Sequence, residues 1–310
     1  MKIIYMGTPD FALPALKALH EKHQILALVT QPDKKQGRKQ TLIEPPTKQF
    51  AKTVNIPIFQ PKKVSEITDD LLALKPDIII TAAFGQFLPS KLIETPPLKA
   101  INIHASLLPE LRGGAPIQRA IERGYKTTGI SIIIMSKKMD AGPIIAQKSI
   151  AIKPDETAKS LFDKLATLGK DVLLESLPLY HKGEVIAHEQ DHKKATYAYT
   201  IKREEEKLDF NMSAIELERK IRAFYDSPAT YLTLEDGPLK VYQANVVKTH
   251  SDKTPGQVIE HTEKGPVIKC ASNALELITV KPAGKKTMPA VQYMHGKGKK
   301  TLAKDKILPL

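Results

Sequence analysis

Three side chains in this sequence could do carbonyl and proton chemistry together: Asn102, His104 and Asp140. The first two lie in KAINIHA, an apolar run read as a strand over residues 99–105, and residues two apart on a strand point to the same face. An amide and an imidazole are thus presented side by side where the strand opens into SLLPELRGG. Asp140 sits in MDAG, another loop at a strand end. Amide, imidazole and carboxylate converging from adjacent strand ends suit acyl transfer to an amine. The imidazole takes the proton lost as the amine attacks, the amide donates to the carbonyl oxygen as it gains charge, and the carboxylate fixes the imidazole's orientation and charge.

The elements needed to hold such a set can be read along the chain. Apolar strands are expected at residues 2–6, 25–30, 56–59, 77–83 and 99–105, and two more at TGISIIIM and GPIIAQKSIAI. Helices are expected from about Pro14 to Lys22 and at residues 46–54, 65–74, 115–124 (APIQRAIERG) and 157–182. Strands alternating with helices imply βαβ units and a mostly parallel, Rossmann-like sheet covered on both faces, with ligands beyond the carboxyl ends of the strands. The loops after Ala83, Ala105 and Met135 are the places to look. Residues 183–207 are polar and read as a linker. Beyond a helix near 213–224, short alternating runs split by Gly, Pro or Asp indicate a small antiparallel sheet or barrel. The expected organisation is residues 1–182, a linker over 183–207, and residues 208–310.

Several apparent motifs carry no chemistry. GTPDFAL begins where a dinucleotide loop would, yet lacks the second and third glycines of GxGxxG. KPAGKKT approaches a P-loop without the required first glycine. Ser106 has no flanking glycines, so there is no nucleophile elbow. HEQDH matches the HExxH zinc pattern, but lies in a polar stretch with no apolar face and reads as a chance match. Cys270, the only cysteine, reads as a small buried hydrophobe. No disulfide or thiolate metal cluster can form within one chain, no metal is called for, and no run approaches the roughly 20 apolar residues of a membrane span. A cytoplasmic protein is the expectation.

The formal net charge is +13, and its distribution matters more than its size. Residues 281–310 carry eight lysines, among them Lys281, Lys285 and Lys286, against one acid, Asp305. A second basic zone, with Lys34, Lys35, Arg38, Lys39, Lys48 and Lys52, surrounds the long loop after the second strand. Two separated basic zones suit an extended polyanion such as RNA.

NIHASLLPELRGGAPIQ with a following DAG resembles the folate-dependent formyltransferase family. The resemblance runs on through GTPDF, TQPD with its basic loop, AAFGQFLP, IRAF and KPAGKK, nearly the whole chain. It implies that Asn102, His104 and Asp140 are catalytic and that 10-formyltetrahydrofolate is the formyl donor. Ser106, Leu107, Leu108 and Pro109 would contact the folate, and Phe84, Gly85, Gln86 and Leu88 would line its pterin pocket. The core motif alone fixes the reaction class and leaves the acceptor open, with sugar amines and glycinamide ribonucleotide also used in the family. The likeness in the basic loop and the C-terminal part is to the tRNA-acting branch, whose acceptor is methionine esterified to initiator tRNA. There Lys34, Lys35, Arg38, Lys39, Lys281, Lys285 and Lys286 would meet the tRNA, and the C-terminal domain would be an OB-like barrel. SPATYL stands where the family often has Trp-Pro. A small amine acceptor, or an RNA-binding protein on a degenerate scaffold, are the alternatives.

Overall fold

Strands buried on both faces run as unbroken apolar sequence, and β1 (Lys2–Gly7) is of this kind, with Ile3, Ile4, Tyr5 and Met6 fully buried. The computed structural model describes residues 1–36 and 40–309. They form two compact units. The first comprises Met1–Pro116, Thr127–Ala151 and Phe162–Tyr199; the second comprises Ile117–Lys126, Ile152–Leu161 and Thr200–Leu310.

After β1 the first unit continues with α1 (Leu13–Lys22), β2 (Gln24–Val29), β3 (Lys34–Gln36), β4 (Thr41–Ile43), α2 (Pro46–Thr53) and β5 (Ile58–Phe59). Next come α3 (Thr68–Ala73), β6 (Ile78–Ala82), α4 (Ser90–Glu94) and β7 (Ala100–His104). In chain order the helix α5 (Pro116–Glu122), strands β8 (Thr127–Ile134) and β9 (Ile144–Ala151), and the long helix α6 (Ala158–His181) follow; α5 from Ile117 on and the start of α6 up to Leu161 belong to the second unit. The seven-stranded sheet has the order β5-β2-β1-β6-β7-β8-β9. Its first five strands are parallel, whereas β8 runs antiparallel to β7, and β9 to β8. One face is closed by Ile4, Met6, Val29, Ile79, Phe84, Leu88 and Leu92 in a single apolar cluster.

Two features depart from the sequence-based expectation. The long loop after β2 contains a two-stranded ribbon, β3 with β4, in which Lys34 pairs with Ile43 and Lys35 with Leu42. Its β4 residues are all exposed, so no alternation of apolar and polar positions marked it as strand. The antiparallel β8 also changes where its loop emerges. Met135 N–H donates to Ala100 O at the amino end of β7 (2.8 Å), so the loop bearing Asp140 does not leave from the carboxyl ends of the parallel strands. It must fold back along β7 to reach the site.

Gly7 has a packing reason and not a phosphate-binding one. A Cβ there would lie 2.5 Å from the Ala12 Cβ and 2.9 Å from Ala82 O.

In the second unit α7 (Ala214–Ala223) begins with a capping box. The Ser213 hydroxyl accepts from Glu216 N–H, and the Glu216 carboxylate accepts from Ser213 N–H. It is followed by β10 (Thr230–Leu234), β11 (Gly237–Val247), β12 (Val258–His261), β13 (Pro266–Lys269), β14 (Ala274–Pro282) and β15 (Met288–Pro289). Two short helices, Ala290–Met294 and Gly298–Thr301, complete it. The strands make a six-stranded antiparallel sheet ordered β10-β11-β14-β13-β12, with β15 on β14, consistent with a small barrel. Irregularities where β11 pairs with β14 between Val241 and Ala244 bend the long strand as bulges do. Cys270 is fully buried in this unit's core, and burial pushes its thiol up to about 12.

Candidate active site

Asn102 and His104 lie on β7, two residues apart, and each has one end fixed by a neighbour. The Thr81 hydroxyl, from the adjacent β6, donates to Asn102 Oδ1 at 2.7 Å. With its oxygen held, the amide keeps its Nδ2 as a donor with no hydrogen-bond partner among the described residues. His104 is buried, 5% exposed, and its Nε2 lies 3.0 Å from Leu111 O. A carbonyl can only accept, so Nε2 carries a proton and, in the neutral ring, Nδ1 carries the lone pair. Asp140 Oδ2 stands 3.6 Å from that Nδ1, beyond hydrogen-bond range. The same Oδ2 accepts from Gly113 N–H at 2.9 Å.

Main-chain strain gathers at these groups. Ala83, Leu111 and Asp140 have φ of 46°, 59° and 48°. Aspartate tolerates the left-handed region, but leucine there is uncommon. Backbone held this way needs surrounding structure to hold it, and it clusters at functional sites. The Leu111 conformation aims its carbonyl at His104. Gly113, φ 121°, is glycine of necessity, because a Cβ would lie 2.7 Å from Ala198 O.

The SLLP turn is pinned to the antiparallel half of the sheet. Ser131 on β8 donates its hydroxyl to Ser106 O (2.7 Å) and accepts from Leu108 N–H (3.1 Å), while Gln147 on β9 donates to Leu108 O (3.0 Å). Ser106 Oγ is spent on Glu110 O at 2.6 Å, consistent with its lack of a nucleophile's surroundings. Pro109 follows Leu108 through a cis peptide bond. Beyond β6, Phe84 and Leu88 are buried, and Gly85 takes φ 80°. The Gln86 side chain is turned to Val64 N–H (2.7 Å) and Pro61 O (3.3 Å), so it braces the loop through its amide.

Of the basic residues, Lys34 and Lys35 are exposed on the ribbon, and Lys281, Lys285 and Lys286 are exposed in the second unit. Arg38 and Lys39 lie outside the described residues. Lys48 is not a free cation: it pairs with Asp33 (2.7 Å) and Glu44 (3.2 Å), and Lys52 also pairs with Glu44. Hydrogen bonds from Gln60 and Lys48 hold the Asp33 carboxyl below its usual range. The aspartate of TQPD thus anchors the base of the ribbon.

Among the described residues no group of three or more His, Cys, Asp or Glu could hold a metal ion. HEQDH does not lie idle. His188 bridges to Ile144 on β9, and Tyr197 bridges to Arg112. Sequence reasoning missed these supports, along with Thr81, the Leu111 carbonyl and Gly113 N–H. The Gly113–Gly114 pair was the one available signal, since paired glycines mark close backbone approach. Among the described residues no helix is long and apolar enough to cross a membrane.

Comparison with known proteins bears on this arrangement. Residues 1–177 match the family model described as formyl transferase, and residues 200–298 match that of the formyl transferase C-terminal domain. A methionyl-tRNA formyltransferase of Latilactobacillus sakei is 44% identical over 96% of this chain and 95% of its own. One from Staphylococcus aureus is 43% identical over 99% of both. Among solved structures, an N-formyltransferase from Helicobacter canadensis, in complex with folinic acid and dTDP-3-aminofucose, superposes with a TM-score of 0.64 at 16% identity, over 89% of this chain and 99% of that one. HypX from Aquifex aeolicus in complex with tetrahydrofolic acid gives 0.63 at 16% identity over all of this chain and 49% of that protein. At such identities these structures speak to the fold alone. With both of its parts matched, and with relatives of this identity along almost its whole length, the chain belongs to the formyl transferase family.

Proposed function

We propose that this chain transfers the formyl group of 10-formyltetrahydrofolate to the α-amine of methionine esterified to initiator tRNA, in the cytoplasm. The observation that carries the acceptor is the near full-length identity to methionyl-tRNA formyltransferases, which extends through the second unit as well as the first. Residues 1–182 serve the chemistry and residues 208–310 the tRNA, joined by 183–207. Lys34, Lys35, Arg38, Lys39, Lys281, Lys285 and Lys286 face the polyanion.

10-Formyltetrahydrofolate supplies the activated formyl carbonyl. The loops after β6 and β7 would receive its flat heterocycle: they are largely apolar, with Phe84, Leu88 and Leu108 buried, and Gly85 leaves bare main chain between them. Asn102 Nδ2, its amide oriented by Thr81, donates to the formyl oxygen as negative charge gathers there. His104, its Nε2–H committed to Leu111 O, accepts at Nδ1 the proton released as the amine forms its bond to the formyl carbon. The imidazolium so formed is stabilised by Asp140. That same proton is then available to the nitrogen that leaves as the old carbon–nitrogen bond breaks. His104 is therefore the base and Asn102 the oxyanion donor, because the Nε2–H is already occupied.

Incubation with 10-formyltetrahydrofolate and charged initiator tRNA, followed by deacylation, is expected to yield N-formylmethionine. Matched elongator methionyl-tRNA and a nucleotide-linked amino sugar are run alongside. Folded protein that formylates the sugar and not the tRNA overturns the proposed acceptor.

A further inference from the structure

Arg112 is 4% exposed, and its guanidinium is met by neutral groups. Its Nε and Nη2 donate to Gln190 Oε1 at 3.1 and 2.6 Å, and Nη2 also donates to His192 Nδ1 at 2.9 Å. Gln190, 6% exposed, uses its other end on the loop that carries Asp140. Its Nε2 donates to Asp140 O at 2.9 Å and to Gly142 O at 2.7 Å. The amide can sit only this way round. Reversed, its oxygen would face two carbonyl oxygens and its NH2 would face a guanidinium that only donates. As placed, both its lone-pair directions and both its N–H groups are used.

The Asp140 loop needs such a holder. It folds back from an antiparallel strand with no ladder of its own, and Asp140 takes a positive φ. The carboxylate is met by Gly113 N–H, but that bond fixes the side chain and leaves the main chain to be held elsewhere. Arg112 is well placed to align the holder, because it sits between Leu111, whose carbonyl fixes His104, and Gly113, whose N–H binds Asp140. Its own main chain is fastened to the same segment: Arg112 N–H donates to Thr196 O (2.9 Å), and Ala198 N–H donates to Arg112 O (2.7 Å). A hydrogen bond from a buried cation also polarises the Gln190 amide, strengthening the two N–H donors at its far end.

We propose that Gln190, aligned by Arg112, is a positioning residue that holds the Asp140 carboxylate at His104. Residues 188–198 form a strap that ties the loop after β7 to the loop after β8. The proposal rests on Asn102, His104 and Asp140 acting as described above, and its test separates the two.

Three proteins are compared in the formylation assay: wild type, Gln190→Leu and Gln190→Glu. Leucine removes both donors and the acceptor. Glutamate keeps an acceptor for Arg112, and turns the contact into an ion pair, but has no N–H for the carbonyls of Asp140 and Gly142. Misplacement by about 1 Å costs on the order of 10²-fold in turnover. Both variants are expected to lose about that in kcat, with KM for tRNA and folate within about two-fold. If Gln190 served only to cover the Arg112 charge, Gln190→Glu would turn over like wild type and differ only in melting temperature. That result overturns the proposal, as does a folded Gln190→Leu protein whose kcat stays within about three-fold of wild type. If Gln190→Leu does not fold, Gln190→Glu alone decides. Inactive wild type would refute the proposed function instead.

Discussion

Gly142→Ala tests the placement of Asp140 with the smallest possible change. A Cβ on Gly142 would lie 1.9 Å from Ile134 O, where real contacts essentially never fall below 3.0 Å, so the gap must widen by about 1.1 Å. Ile134 is held in β8 by its pairing with Ile101, and a strand inside a sheet yields less readily than a loop. The displacement therefore falls on the loop at Gly142, two positions from Asp140. It pulls Gly142 O from Gln190 (2.7 Å) and Pro143 O from Ile134 N–H (2.9 Å). Overpacking of this kind costs roughly 1–3 kcal/mol, a fall of a few degrees in Tm for a chain of this size. A shift of about 1 Å at Asp140 should lower kcat by about 10²-fold, with KM for tRNA unchanged. Single-turnover formylation and thermal melts read the two effects separately. Gly296→Ala is the control, since its Cβ would meet nothing closer than 3.8 Å and both quantities should stay at wild-type values. A Gly142→Ala enzyme with lowered Tm but kcat within about three-fold of wild type would refute the link between the position of this loop and turnover.

His104→Ala should lose about 10²- to 10⁴-fold in kcat while tRNA affinity, measured by filter binding, is largely kept; collapse of binding with surviving turnover would make His104 structural. Replacing Lys281, Lys285 and Lys286 by Gln should flatten the log–log salt dependence of tRNA binding by about 0.7–0.9 for each phosphate that is no longer neutralised, and an unchanged slope would remove these lysines from the interface. Glu216 is held below the usual carboxylate range by the Ser213 hydroxyl and then the Ser213 N–H. Its contribution is full above the unfolded value near pH ~4.3 and is lost as pH falls through the lower folded value. The Tm difference between wild type and Glu216→Gln should therefore hold from neutral pH down to about pH 4.3 and shrink below it, and a difference that grows would contradict the cap. Cys270, its thiol raised by burial to about 12, should resist iodoacetamide at pH 8 until the protein is unfolded in urea; rapid labelling of the native protein would place it nearer the surface.

The sequence by itself determined a good deal here. The short run DIIITAA, with branched side chains at successive positions, reads as a strand buried on both faces, and KAINIHA as one with Ile101 and Ile103 on one face. The i, i+2 spacing alone puts Asn102 and His104 on one face. Short alternating runs after residue 229 announced an antiparallel second part, and the formyltransferase motifs named the chemistry. Tertiary structure alone decided how those groups are aimed. The direction of β8 is set by pairing with β7 and has no local code, so the fold-back that brings Asp140 to His104 could not be read from MDAG. The tautomer of His104 depends on a carbonyl seven residues away in a leucine of positive φ, and the orientation of Asn102 depends on a hydroxyl from another strand. Gln190 lies in a stretch whose composition is that of a solvated linker. Its burial comes from neighbours fifty to eighty residues away in the chain, and long-range hydrogen bonds of that kind leave no periodicity in a sequence.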